Sequence, residues 1–166
     1  MKCFIDNNLL PSLARALDLL SANKFSDLEQ VIALREKFPK DTPDVTWIQA
    51  LGQEGDWFIL SADQFRRHGD LERKALRQSG LIVFRLSKSW SSQQYWEKCA
   101  HLLRWWPHIV EQAERLQGGA AFRVPWKLSV GKPKFEQIPF YSLPNADSYI
   151  ARAARKDLVI KTVGYL

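Results

Sequence analysis

Three aspartates stand where a side chain can do chemistry. Lys2-Cys3-Phe4-Ile5 is a short apolar run closed by Asp6, Asn7 and Asn8. Trp57-Phe58-Ile59-Leu60-Ser61-Ala62 is a second such run, closed by Asp63, and Asp44 follows Thr42-Pro43 at a helix start. A short apolar run bounded by turn formers reads as a buried parallel strand. In a parallel sheet, the residues just past the strand ends and the N-termini of the following helices share one edge and one crevice. Asp6, Asp44 and Asp63 are far apart in the chain, yet that topology brings them to the same edge. Carboxylates gathered there repel, so one takes a proton or a cation sits among them. Oxygen ligands without a His or Cys partner favour Mg²⁺ or Mn²⁺ over zinc. Such an ion suits phosphodiester hydrolysis, because it makes a hydroxide at neutral pH and holds a phosphate oxygen. Read singly, each acid has a plainer role: Asp44 complements a helix dipole, and Asp6 and Asp63 close turns.

The elements that must position these acids alternate. After the first strand, Leu9, Leu10, Leu13, Ala14, Leu17 and Leu20 recur at helical spacing, with Pro11 in the first turn. A polar connection at Ser26–Glu29 leads into a second strand over Gln30–Glu36. Thr42 is placed to cap a helix with Pro43 at its first position, and Trp47, Ile48 and Leu51 form its apolar face up to Gly52 or Gly55. A basic helix over Asp70–Gln78, stopped by Gly80, precedes a strand at Leu81–Leu86. Ser91 and Gln94 have capping-box spacing and open the longest helix, with the stripe Tyr95, Cys99, Leu102, Leu103, Trp106, Ile109, Val110, Ala113 and Leu116. Pro107 is expected to kink or split it, and Gly118-Gly119 to end it. Beyond lie a strand at Ala121–Trp126, a helix at Ala146–Lys156 and a strand at Leu158–Val163. Strands alternating with helices predict an α/β fold, a three-layer α/β/α sandwich on a mostly parallel sheet.

The chain has 166 residues, enough for one domain with a real core. Its +6 charge is unevenly placed: residues 1–114 carry 15 basic and 15 acidic side chains, and residues 115–166 carry 9 and 3. The contrast fits contact with phosphates or an acidic partner, or else a solvated tail. With the longest helix ending at Gly118-Gly119, residues 1–117 form the domain and 118–166 a basic, aromatic extension, packed on the domain or on a partner. No apolar stretch is long enough to span a bilayer, and Met1-Lys2 leads straight into the first strand without room for a leader. Cys3 and Cys99 lack metal spacing and fall in a predicted strand and helix, which points to a reducing cytoplasm. No phosphate-binding glycine loop is present.

Arg66, Arg67, Arg73 and Lys74 follow Asp63 closely and are placed to guide a nucleic-acid backbone, or else form a solvated helix face. Trp90, Trp96, Trp105, Trp106 and Trp126 concentrate late, where they stack bases, cover a partner or fill the core. They leave a homodimer open.

Asp6-Asn7 after the first strand, Thr42-Pro43-Asp44-x-x-Trp47-Ile48, Ser61-x-Asp63, Glu72-x-x-Ala75-Leu76 and the aromatic helix from Tyr95-Trp96 to Trp105-Trp106-Pro107 come in an order that resembles the PIN domain of metal-dependent nucleases. The likeness covers about residues 2–117 and is nearest to compact proteins of the VapC toxin type. It implies an endoribonuclease using Mg²⁺ or Mn²⁺, often paired with a protein antitoxin. Asp6, Asp44 and Asp63 would be metal ligands or position the attacking water, with Asn7 and Ser61 close by. Larger PIN domains add an acid from a helix that residues 7–43 have little room for, so Glu36 is its substitute, ahead of Asp41. The rival is a PIN-like module that binds RNA or protein without cutting. A phospho-accepting receiver domain would need paired acids at one strand end, where Asp6 has amides beside it.

Overall fold

The computed structural model describes residues 1–7, 9–63, 70–129 and 133–138. The elements run β1 (Lys2–Ile5), α1 (Pro11–Ser21), β2 (Gln30–Ala33), α2 (Leu34–Lys37), α3 (Asp44–Glu54), β3 (Trp57–Ser61), α4 (Asp70–Ser79), β4 (Ile82–Leu86), a 3₁₀ turn (Lys88–Trp90), α5 (Tyr95–Glu114), β5 (Ala121–Val124) and β6 (Glu136–Gln137). They build a six-stranded sheet in the order β2-β1-β3-β4-β5-β6. All neighbours are parallel except β6, which runs antiparallel to β5. The sheet continues past residue 118 into the expected extension, and the predicted helix at 146–156 and strand at 158–163 lie outside the described residues.

The central strands are apolar on both faces because helices cover both. β3 and β4 are buried along their whole length. On one face Ile5, Phe58, Leu60 and Phe84 meet Leu13, Ala14 and Leu17 of α1 and Leu102, Trp105, Trp106 and Ile109 of α5. On the other, Phe4, Ile59 and Val83 meet Trp47, Ile48 and Leu51 of α3 and Ala75 and Leu76 of α4. This is the predicted α/β/α sandwich. In α3 and α4 the backbones approach closely: a Cβ on Gly52 would sit 2.7 Å from Ser79 Cβ and 2.9 Å from its Cα.

Several local expectations change. Leu10 and Leu20 are exposed, whereas Ser21 is buried, because its hydroxyl accepts a 2.8 Å bond from the Trp106 indole and ties α1 to α5. The second strand stops at Ala33, and Leu34–Lys37 turn into α2. Thr42 does not cap α3: its hydroxyl donates to the Pro39 carbonyl (2.8 Å), and the helix starts at Asp44. The box that opens α5 lies one turn later than Ser91–Gln94, with the Gln94 N–H donating to the Glu97 carboxylate (3.4 Å). Nor does Pro107 split α5, which runs through it. An interior proline costs about 3 kcal/mol. The burial of Trp105, Trp106, Ile109 and Val110 around it offsets that cost, at roughly 1.5–3 kcal/mol per large apolar side chain.

Candidate active site at the carboxyl edge of the sheet

The strand order reverses between β1 and β3: the chain leaves β1 for β2 on one side and returns to β3 on the other. At such a switch point the connections diverge to opposite faces and leave a crevice outside the carboxyl ends of the strands. Ile5 is level with Leu60, so Asp6 and Ser61 are the next residues on the two sides of that crevice. The Asp6 N–H donates to the Leu60 carbonyl (3.1 Å), carrying the ladder one step further and holding Asp6 at the rim.

Asp6 is only 4% exposed. A carboxylate taken from water is tolerated when hydrogen bonds replace its hydration. Here Ser61 Oγ, itself fully buried, donates to Asp6 Oδ2 (2.6 Å), and the Asn7 backbone N–H donates to Oδ1 (2.6 Å). The same Ser61 oxygen accepts the Asp63 N–H (2.9 Å). One hydroxyl thus links the ends of β1 and β3 and fixes the turn that carries Asp63. Asn7, through its backbone N–H, and Ser61, through its hydroxyl, both bond the Asp6 carboxylate.

Asp44 reaches the same edge from the other layer, since α3 enters at the carboxyl edge and descends to β3. The Trp47 indole, one turn on, donates to Asp44 Oδ1 (3.0 Å) and holds the half-buried carboxylate in place. Trp47 is therefore more than core, and the i, i+3 spacing of an acid and an indole on a helix is the signal for that bond. A residue that sequence reasoning passed over is Arg35. Its Nε donates to Asn7 Oδ1 (3.2 Å), which sets an exposed guanidinium beside the Asp6 turn. Nothing in composition or spacing distinguished it from other surface cations.

Glu36 does not stand at a strand end. It lies in α2, where Oε2 accepts the Ala33 N–H (3.0 Å) and Oε1 accepts Arg15 Nε (2.9 Å). The Ala33 backbone bond, followed by Arg15, holds its carboxyl below the usual glutamate range. Its oxygens secure the start of α2. Arg73 and Lys74 are exposed on α4, while Arg66 and Arg67 lie outside the described residues. Among the described residues, no three His, Cys, Asp or Glu side chains gather closely enough to hold a metal ion. Asp6 and Asp63 share Ser61, and Asp44 is held separately by Trp47. Oxygen-only donors match a hard cation chemically, but they are not assembled as a ready ligand cage.

The late tryptophans divide. Trp90, Trp105 and Trp106 are core, Trp126 stacks on His101 at 4.1 Å between ring centroids, and Trp96 is exposed. No helix among the described residues is long and apolar enough to cross a membrane. No curated protein and no solved structure matches the chain. A family described as PIN like domain does match, over residues 1–88, the stretch that holds Asp6, Asp44, Ser61 and Asp63. With more than half of its length matched, and with a mostly parallel sheet under two helical layers, the chain belongs to the PIN-like domain family.

Proposed function

We propose that this protein is a divalent-metal-dependent endoribonuclease that uses Asp6, Asp44 and Asp63 to hold the ion. The observation that carries this reading is the buried Asp6 carboxylate held by the buried Ser61 hydroxyl, which also accepts the Asp63 backbone N–H, at the switch point of a PIN-like sheet. A buried carboxylate is a weak contributor to stability when apolar residues of similar volume would fit, so its presence at the crevice favours a chemical role. The donors are all oxygen, which suits Mg²⁺ or Mn²⁺. When bound, such an ion supplies an activated water and neutralises a phosphate oxygen.

The chain's own groups do the rest. Ser61 and the Asn7 N–H fix the Asp6 carboxylate, and Trp47 fixes one oxygen of Asp44. Arg35, Arg73 and Lys74 supply positive charge for an RNA backbone. With no cation between them the carboxylates would repel one another, so a bound ion and an RNA phosphate would each strengthen the other's binding. A toxin role in a reducing cytoplasm, with a protein antitoxin covering this edge, is the finer part of the proposal.

That no three His, Cys, Asp or Glu side chains gather closely enough to hold a metal ion among the described residues favours one second reading, a PIN-like binding module that holds RNA or protein without cutting. Titration of Mn²⁺ followed by electron paramagnetic resonance separates the two. The enzyme reading expects saturable binding, strengthened by RNA and lost in Asp6→Asn and Asp44→Asn. Tight RNA binding with no saturable Mn²⁺, unchanged by either substitution, would favour the module.

A further inference from the structure

The start of α5 carries an exposed aromatic pair that packing does not explain. Trp96 is 78% exposed and Tyr95 41%, and their rings meet edge to face with centroids 5.1 Å apart. An isolated exposed leucine needs no explanation, but a large indole in water beside a second ring does. Their place in the fold is informative. β4 neighbours β3, Ser61 is level with Arg85, and the chain leaves β4 at Leu86 through the Lys88–Trp90 turn into α5. Since β5 is parallel to β4, α5 descends from the carboxyl edge. Tyr95 and Trp96 therefore stand at the same edge as Asp6 and Asp63.

The support beneath the pair is firm. Trp90 is buried, and its indole donates to the Val124 carbonyl (3.0 Å). Ser91 Oγ donates to the Lys88 carbonyl (2.7 Å), and Lys98 Nζ donates to the Ser91 carbonyl (3.4 Å). Two lysines, Lys88 and Lys98, lie close to the pair in the chain. Residues 86–110 contain Lys88, Lys98 and Arg104 against the single acid Glu97, whose carboxylate is turned back onto the Gln94 N–H. Exposed rings flanked by lysines are how proteins hold unpaired nucleotides: bases stack on the rings while cations meet the phosphates.

From this juxtaposition we infer that Tyr95 and Trp96 form a base-stacking platform for single-stranded RNA beside the acid edge, with Lys88 and Lys98 as its phosphate contacts. The inference rests on the ribonuclease reading for its substrate, and it adds a binding site that the acids do not supply. Because the platform reads bases by their faces, it tolerates any sequence but requires unpaired nucleotides. A protein partner would use the rings differently. It would cover Trp96 together with exposed Leu103, two turns along α5.

The test is fluorescence anisotropy with the full-length protein in EDTA, so that binding is read without cutting. The probes are a fluorescein-labelled oligouridine of about ten nucleotides, within the span of known single-strand sites, an abasic oligomer of equal length, and a duplex. Trp96→Ala should weaken oligouridine binding roughly 5- to 100-fold, Trp96→Phe should restore most of it, and Leu103→Ala should leave it unchanged. The abasic oligomer and the duplex should bind weakly and be indifferent to Trp96→Ala. Equal oligouridine binding by wild type and Trp96→Ala overturns the platform. So does a loss in Trp96→Ala that is the same for the abasic oligomer. Dissociation of a dimer in both Trp96→Ala and Leu103→Ala, with RNA binding intact, assigns the rings to a protein interface instead. Failure of the ribonuclease reading looks different: Trp96-dependent binding without metal-dependent cleavage of the same oligomer keeps the platform and removes the enzyme. Metal-dependent cleavage with no effect of Trp96→Ala on binding does the reverse.

Discussion

Ser61→Ala removes one oxygen that serves two partners, and its cost can be worked from the structure. The Ser61 hydroxyl donates to the buried Asp6 carboxylate at 2.6 Å and accepts the Asp63 N–H at 2.9 Å. A hydrogen bond to a charged group contributes about 1.5–3 kcal/mol, and one to a backbone N–H about 0.5–1.5 kcal/mol. Alanine fits the volume, so no clash or sizeable cavity adds to this, and the loss should be about 2–4 kcal/mol. For a chain of this size each kcal/mol moves the melting temperature by roughly 2–4 °C, which gives a fall of about 5–15 °C. Urea unfolding followed by circular dichroism measures the change. The double-mutant cycle with Asp6→Ala isolates the shared bond, with an expected coupling of about 1–2 kcal/mol. A Ser61→Ala protein within about 0.5 kcal/mol of wild type, or strictly additive substitutions, would refute the link between the ends of β1 and β3.

Three further outcomes are expected. Gly52→Ala should destabilise by about 1–3 kcal/mol through overpacking against Ser79, although helix propensity alone would make it stabilising by about 1 kcal/mol; urea midpoints give the sign. The Glu36 carboxyl, held down by the Ala33 N–H and Arg15, should titrate below its ordinary 4.5. Its folded value is depressed, so its contribution to stability is present above that ordinary value and is lost as pH falls through the folded one. Carbon-detected NMR should show the midpoint rising in Arg15→Met without reaching 4.5, because the Ala33 bond remains. Burial pushes the Cys3 thiol well above its usual range, so iodoacetamide should modify half-buried Cys99 in the native protein and Cys3 only after unfolding.

The layered α/β fold was legible because the parallel strands are compact apolar runs and the long helices carry apolar stripes, whereas the short α2 and the polar β6 (Glu136–Gln137) carry neither signal. Asp6 and Asp63 could be placed for the same reason, since a strand end is visible in sequence. What sequence could not show was tertiary. Glu36 reads as a strand end until its carboxylate is seen closing α2 on the Ala33 N–H. Leu20 fits the α1 stripe better than Ser21, yet the Trp106 indole needs an acceptor, and Ser21 provides it. Beyond Gly119 the apolar pattern weakens, and no local signal shows that Ala121–Val124 pairs with β4. The joining of Asp6 to Asp63 through one hydroxyl depends on the register of two strands about 55 residues apart in the chain, which no local pattern encodes.

The most direct test of the central claim is cleavage of end-labelled RNA by the full-length protein with Mg²⁺, Mn²⁺ or EDTA, beside Asp63→Asn purified identically. The account predicts cutting that requires the metal and disappears in Asp63→Asn. Equal cutting by the two proteins, or cutting that persists in EDTA, would contradict it.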